Sequence, residues 1–409
     1  MLIPMSLDAA AETVAEQIRR QPFVEVYAHH DADGIAAGAI LCHAMLRAGI
    51  RFRLRIKSEV RVAELSGDGA KLLCDLGSGI EDLPADTMVV DHHIPRFEGE
   101  FHANPRLSGI DGDRELSAAG MAYIVAQKIG DNRDLAGLVI PGIIGDDQEI
   151  RGKNLEISND GIGNGIVLPA RGLTLPGRDM TERWYLSTSP YLSGISGEET
   201  VISDLLLEAQ GENGTRLDTL ISLAVLRAAP QTSADRLMEI YGDTYHLERE
   251  VIDDAHALTA VIDACGKSGH GDLGAALCLR SSHALDKAWE IARLHRTNVI
   301  TALRAVQPVA GSAGVYEVQD AVLASDIADV LARDTVQTVP VLVYARNGDV
   351  CRISARCPRN VTADIGLVIH EVATACGGNG GGHTRRAGAT IPCTQIPAFI
   401  SGWQGALAG

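Results

Sequence analysis

The chain has 409 residues, 46% hydrophobic and 22% charged, which is the composition of a folded protein of two to three domains at roughly 150 residues each, not of a disordered one. Its net charge of −17 argues against a protein that coats duplex DNA by general attraction, although bound cations would still let it grip phosphates locally. There is no apolar run of the roughly 18 residues a membrane span needs, no secretory-type start, and no CxxC pair among cysteines 42, 74, 265, 278, 351, 357, 376 and 393. The expectation is a cytoplasmic protein, off the membrane, with reduced and buried cysteines.

Leu7, Ala10, Ala11, Val14 and Ile18 recur at helical spacing. Phe23 to Ala28 is a short apolar run that ends in His29-His30-Asp31-Ala32-Asp33-Gly34, and an Ala-rich helix-like stretch follows to Gly49. Phe52, Leu54 and Ile56 alternate with Arg51, Arg53, Arg55 and Lys57, which predicts a strand with one basic face. That stripe could track a nucleic-acid backbone; protecting a sheet edge by charge explains it equally well. Lys71 to Cys74 is a strand candidate ending in Asp75, and Thr87 to Val90 is another ending in Asp91-His92-His93. Leu135 to Ile144 is apolar and ends in Gly145-Asp146. This alternation predicts an α/β fold whose N-terminal domain, residues 1–165, is a doubly wound, mostly parallel sheet. Such sheets bind ligands beyond the carboxyl ends of their strands, where the acids and histidines recur here.

Residues 166–255 read as a connector with its own helices, glycine-punctuated at first and acidic from about Glu199 to Asp254. Residues 256–409 read as a smaller α/β domain, and its clearest element is a hairpin of Val339 to Ala345 and Val350 to Ala355 around Arg346-Asn347-Gly348-Asp349. Residues 337–409 carry +3, which leaves −20 for the rest.

Four clusters carry chemistry. His29, Asp31 and Asp33 at spacing two can converge on one point, and two carboxylates so close repel unless a cation lies between them. A helix cap would account for an Asp there without a metal. Asp75, the pair His92-His93 and Asp146 are each weak signals alone. Together the set supplies two hard-cation sites with a carboxylate to bridge them. Oxygen ligands with some imidazole suit Mn2+ better than zinc, with Mg2+ as the other candidate. Two such ions, roughly 3.5–4 Å apart, clamp an in-line displacement at phosphorus and activate a water.

His-x-Asp-x-Asp-Gly, a lone Asp, Asp-His-His and Gly-Asp, in this order, resemble the DHH phosphoesterase superfamily. Gly377-Gly378-Asn379-Gly380-Gly381-Gly382-His383 and Arg352-Ile353-Ser354-Ala355-Arg356 resemble the two signatures of the DHH-associated domain. Leu192-Ser193-Gly194-Ile195-Ser196-Gly197 and Ala264-Cys265-Gly266-Lys267 look like the archaeal RecJ-like nucleases, the group that includes the GINS-associated nuclease. The resemblance implies that His29, Asp31 and Asp75 hold one metal. Asp33, Asp75, His92 and Asp146 would hold the other, with Asp75 bridging. Asp91 would orient a histidine, and His93 would contact the scissile phosphate. Ser354, Arg356, Gly380, Gly381, Gly382 and His383 would bind substrate through a glycine-rich loop and a bidentate arginine, with the active site in the cleft between the two domains.

The implied activity is a Mn2+-dependent exonuclease that releases mononucleotides from single-stranded DNA or RNA. A phosphoesterase for very short oligonucleotides, cyclic dinucleotides or nucleotide 3′-phosphates is the alternative. The 4% aromatic content leans that way, because extended strands are often held by stacking. A third reading is a replisome module that docks GINS-type partners through the acidic helical connector.

Overall fold

The computed structural model describes residues 6–67, 69–212, 214–335 and 337–408. The chain folds as two compact units. One comprises Met1–Gly172 with Asp243–Ala292, and the other Leu173–Gly242 with Arg293–Gly409. This division is not the succession of three consecutive segments expected from the sequence. Residues 243–292 cluster with the N-terminal unit because their apolar face, including Leu258, Val261, Ile262 and Cys265, joins its core.

The first unit is built on a five-stranded sheet with the order β2-β1-β3-β4-β5: β1 (Phe23–His29), β2 (Arg51–Lys57), β3 (Ala70–Cys74), β4 (Met88–Val90) and β5 (His102–Ala103). Every neighbouring pair is parallel, and the order is one of those found in doubly wound sheets. Val24, Val26 and Ala28 of β1 and Leu72 and Cys74 of β3 face one way. They share a core with α1 (Leu7–Arg19), α2 (Ala32–Arg47), α3 (Ala118–Ile129) and α4 (Ala136–Gly145). Tyr27, Leu73 and Val89 face the other way, where Val60, Leu65, Leu83 and Phe97 seal the sheet with loops and a single 3-10 turn.

The run Leu135 to Ile144, which the sequence placed among the apolar segments ending in acids, is helical. It forms α4, and residues 136–143 are all buried. A helix surrounded by packing partners carries no polar face, so its sequence resembles that of a buried strand. The basic stripe lies on the edge strand β2, and much of it is spent internally. Arg55 and Lys71 meet Glu25 at 2.8 Å each, and Lys57 meets Glu64 at 2.7 Å.

The second unit contains a five-stranded sheet, in the order Val315–Val318, Val341–Asn347, Val350–Arg356, Arg386–Pro392 and Asn379–Gly382. The predicted hairpin is present. Asn347 pairs with Val350, and Gly348 sits at φ 62°, the left-handed region that glycine adopts without strain. Helices Ile365–Ala375 and Ile396–Ala408 cover one face, and Ala324–Arg333 packs on the other. A separate helical core gathers Trp184, Leu192, Ile195, Leu220 and Ile240. All eight cysteines are free; seven are buried and Cys393 is partly exposed.

Candidate metal centre

The carboxyl ends of β1, β3 and β4 bring the predicted acids and histidines of the first unit together. His29 closes β1, and Asp31 follows as the N-cap of α2. Asp31 caps the helix and also turns toward His29. One carboxylate oxygen accepts a hydrogen bond from the Gly34 amide at 2.9 Å, and the other lies 2.8 Å from His29 Nδ1. Asp33, fully buried in the first turn of α2, accepts hydrogen bonds from the amides of Ala118 and Ala119 at 2.7 and 2.8 Å. These amides open α3, whose positive dipole end favours an anion.

Asp75 lies between the groups. Its backbone sits at φ 59°, which is strained for a residue with a Cβ, and its Oδ1 is buried without a hydrogen-bond donor among the described residues. Oδ2 is 3.3 Å from His29 Nδ1, and Oδ1 is 3.3 Å from His92 Nε2. His92 Nε2 is also 3.1 Å from Asp146 and 3.9 Å from Asp33. Asp146 is the C-cap of α4.

His92 shows how crowded this cluster is. Its Nδ1 lies 2.6 Å from the carbonyl oxygen of Gly112, which also accepts from Gln148 Nε2 at 2.9 Å. A carbonyl can only accept, so Nδ1 carries the hydrogen. Nε2 then faces Asp33, Asp75 and Asp146. Burial opposes a charge on the ring, but Asp146 and Asp75 outweigh it and raise its pKa well above the ordinary value, so a proton or a cation belongs among these groups. The same crowding appears in Asp33, whose carboxyl is held well above the usual range by burial and then by the charges of Asp146 and Asp75. Burial would likewise keep His29 neutral, but Asp31 and Asp75 outweigh it and raise that histidine well above its ordinary value. Sets of donor atoms that converge within 4.8 Å include His29-Asp31-Asp75 and Asp33-His92-Asp146. Oxygen-rich sets with one imidazole each fit divalent Mn2+ or Mg2+.

Asp91 has a different job. Buried at the end of β4, it accepts hydrogen bonds from the amides of Ser78, His92 and His93 and lies 2.8 Å from His93 Nδ1. It therefore orients His93, whose side chain is 37% exposed. Burial opposes charge on His93, yet Asp91 raises its pKa above the ordinary value.

Several residues that shape this centre carried no chemical signal in the sequence. A Cβ on Gly142 of α4 would overlap Asp33 Oδ1, and one on Gly112 would overlap the carbonyl oxygen of His92. A Cβ on Gly266, in the helix Ala255–Lys267, would overlap the carbonyl oxygen of His30. The motif Ala264 to Lys267 thus has a local reason: its glycine lets a helix lie against the turn that carries His29 and Asp31. Gln148 was missed for want of any pattern around it.

The expected substrate residues lie in the second unit. Gly380, Gly381 and Gly382 do not form a loop; they form the edge strand Asn379–Gly382 of the sheet. Gly380 would meet Ala373 and Ala389, and Gly382 the carbonyl of Arg386, if either carried a Cβ, whereas Gly381 faces open space. Ser354, Gly388 and Gly381 are register partners across three strands, a row almost free of side chains. His383 follows the edge strand, and its amide donates to the Arg386 carbonyl at 2.7 Å. Arg356 is engaged: Nε and Nη2 meet the carboxylate of Asp329 at 2.7 and 3.1 Å. The segment Leu192 to Gly197 is a packed turn that lines, with Arg304 and Asp334, a cavity of about 670 Å³ in the second unit.

Residues 312–407 match the model of the DHHA1 domain. Over nearly its whole length the chain is similar to an uncharacterized protein of Methanocaldococcus jannaschii, at 27% identity over 96% of this chain and 95% of that one. Among solved structures it resembles RecJ from Thermus thermophilus in complex with Mn2+, with TM-score 0.62 and 18% identity over all of this chain. The chain spans 55% of that RecJ's length. It also resembles CDC45 from Entamoeba histolytica, with TM-score 0.64 and 11% identity over 98% of this chain and 99% of that one. The fold is therefore the α/β fold of these solved structures, and residues 312–407 resemble the DHHA1 domain.

Proposed function

We propose that the chain is a DHH-type phosphodiesterase that uses two divalent cations, Mn2+ first among them, to remove mononucleotides from the end of a DNA or RNA single strand. The observation that carries this reading is the convergence of four carboxylates, Asp31, Asp33, Asp75 and Asp146, on His29 and His92, with no lysine or arginine paired to Asp31, Asp33 or Asp75 among the described residues. His29, Asp31 and Asp75 would hold one cation, and Asp33, Asp75, His92 and Asp146 the other. Bound there, the ions would draw electron density from the phosphodiester and acidify an attacking water.

The protein's own groups do the rest. Gly112 and Gln148 fix the His92 ring so that its Nε2 faces the acids. The amides opening α3 hold Asp33 rigid. Asp91 keeps a hydrogen on His93 Nδ1, so the proton that His93 exchanges with the leaving oxygen is the one on Nε2. The row Ser354, Gly388 and Gly381 lets a phosphate or ribose approach the sheet backbone closely.

The test is digestion of 5′- and 3′-labelled single strands with Mn2+, alongside an Asp31→Ala, Asp146→Ala double variant. Stepwise loss from one end, absent in the variant, supports the exonuclease and fixes its polarity. The second reading, a phosphoesterase for di- to tetranucleotides or other small phosphoesters, is favoured by the 4% aromatic content and the net charge of −17. It prevails if long strands survive and short ones are cut. If neither is cut with Mn2+ or Mg2+, the catalytic reading fails and a GINS-type docking role becomes the better account.

A further inference from the structure

Arg356 and Arg386 are direct register partners on adjacent antiparallel strands of the second unit, so their side chains leave the same face of the sheet. Two like charges facing each other in this way destabilise a strand pair. Asp329, on the helix Ala324–Arg333, lies against both. Its Oδ1 is 2.7 Å from Arg356 Nε and 3.1 Å from Arg386 Nη2, and its Oδ2 is 3.1 Å from Arg356 Nη2. Burial would push this carboxyl up, but the two arginines, with Arg333 a turn away, hold it well below the usual carboxylate range. Asp329 is therefore a fixed anion. The trio carries one net positive charge.

The geometry also limits how Arg356 can meet a phosphate. Its Nε–Nη2 edge is closed by Asp329, and Nη1 donates to the carbonyl of Ala355 at 2.9 Å. A guanidinium has five N–H bonds, so one hydrogen remains on each terminal nitrogen for a ligand. The side chain is 13% exposed. The Arg356 fork is thus held in one orientation before any ligand arrives.

We propose that Asp329 is a positioning residue. It converts the cross-strand pair Arg356 and Arg386 into a preorganised subsite for one phosphate group of an oligonucleotide, rather than competing with that phosphate for the arginines. This rests on the function proposed above for the substrate class, while the arginine–aspartate geometry stands independently of it. The opposite view treats Asp329 as an internal rival for the same cations. The two views predict opposite signs. Removing a positioning residue weakens phosphate binding, because the arginines then repel and wander. Removing a rival strengthens it, because a full guanidinium edge is released.

The experiment compares the full chain with Asp329→Asn and Asp329→Glu. Binding of a fluorescently labelled single-stranded tetranucleotide is read by anisotropy with EDTA present, so that no hydrolysis is needed. Steady-state hydrolysis with Mn2+ is read in parallel. The expected result is a Kd about tenfold higher for Asp329→Asn, partial recovery in Asp329→Glu, and a rise in KM that exceeds any change in kcat. Unchanged or tighter binding by a folded Asp329→Asn variant overturns the proposal. So does a wild-type chain that binds no tetranucleotide. If Asp329→Asn does not fold, Asp329→Glu decides alone: Kd within twofold of wild type at full thermal stability counts against positioning. A wild-type chain that binds the strand but hydrolyses nothing defeats the proposed catalysis and leaves the subsite standing.

Discussion

Both units hold carboxylates largely out of solvent, and they treat them in opposite ways. In the first unit Asp33 is packed among Asp75, Asp146 and His92, and its charge is disfavoured. In the second unit Asp329 is packed between two arginines, and its charge is strongly favoured. One cluster satisfies itself. The other holds more negative charge than its surroundings neutralise, and an arrangement of that kind costs stability unless something positive joins it. Unsatisfied acidity marks the candidate cation site, whereas the salt-bridged acid marks a scaffold for arginines. The contrast predicts that equivalent substitutions will have different consequences.

The largest expected effect is at Asp75. Asp75→Asn removes the carboxylate that lies against both His29 and His92 and is proposed to bridge the two cations, and hydrolysis of any phosphodiester substrate should fall by about a thousandfold or more. Metal-free stability should hold or rise by up to about 1 kcal/mol, because one repulsive partner of Asp33 is gone. Addition of Mn2+ at about a hundred times Kd should stabilise the wild type by roughly 2.7 kcal/mol and the variant far less. Thermal melts with Mn2+ and with EDTA check all of this. If Asp75→Asn is destabilised without metal, the acidic cluster is a structural network and the contrast collapses.

The mirror-image variant is Asp329→Asn. It strands two arginines that face each other, and stability should drop by about 1–3 kcal/mol, with or without Mn2+. Urea denaturation at neutral pH measures it. Destabilisation of this variant together with an unharmed metal-free Asp75→Asn is the signature of the two treatments.

Gly266→Ala sharpens the comparison from the scaffold side. Its Cβ would overlap the His30 carbonyl, so the turn carrying His29 and Asp31 must shift. Cation affinity should weaken by about 10- to 100-fold, the usual range for groups that orient ligands, in titration calorimetry. An unchanged affinity would mean that the turn moves without disturbing His29 and Asp31.

How far the sequence foretold this depended on what kind of information each feature needs. The strand ends were legible, because β1 and β3 are short apolar runs that stop at acids or histidines. The acids and histidines could be singled out because ligand chemistry is written in residue type, while their division into two donor sets came from the family resemblance. α4 was not legible as a helix, since burial on all sides removes the 3.6-residue alternation that separates helix from strand. Gly112, Gly142 and Gly266 were illegible as site residues, because their contribution is the absence of a Cβ beside a partner distant in sequence. Arg356 was read as a free phosphate ligand, since nothing near it in sequence announces Asp329, 27 residues earlier. The glycine-rich segment looked like a loop, because glycines weaken strand propensity, yet cross-strand pairing with residues 387–390 extends it.

The smallest effect tests whether the basic stripe belongs to the self-satisfied class. Hydrogen bonds from Lys71 and then Arg55 lower the pKa of Glu25 to about 2. A depressed carboxylate contributes stability above its unfolded value, near 4.5, and that contribution is lost as pH falls through the folded value. Glu25→Gln should therefore cost about 1 kcal/mol at pH 7, a modest figure because solvent screens part of the cluster. The difference from wild type should shrink steadily below pH 4.5 and be nearly gone by pH 2. Urea titrations of both proteins at pH 7, 5 and 3 follow it. A penalty that stays constant with pH would show that Glu25 acts through packing rather than charge. A variant as stable as wild type at pH 7 would leave Arg53 and Arg55 without a structural reason to be basic, and the reading of that edge as a nucleic-acid track would gain ground.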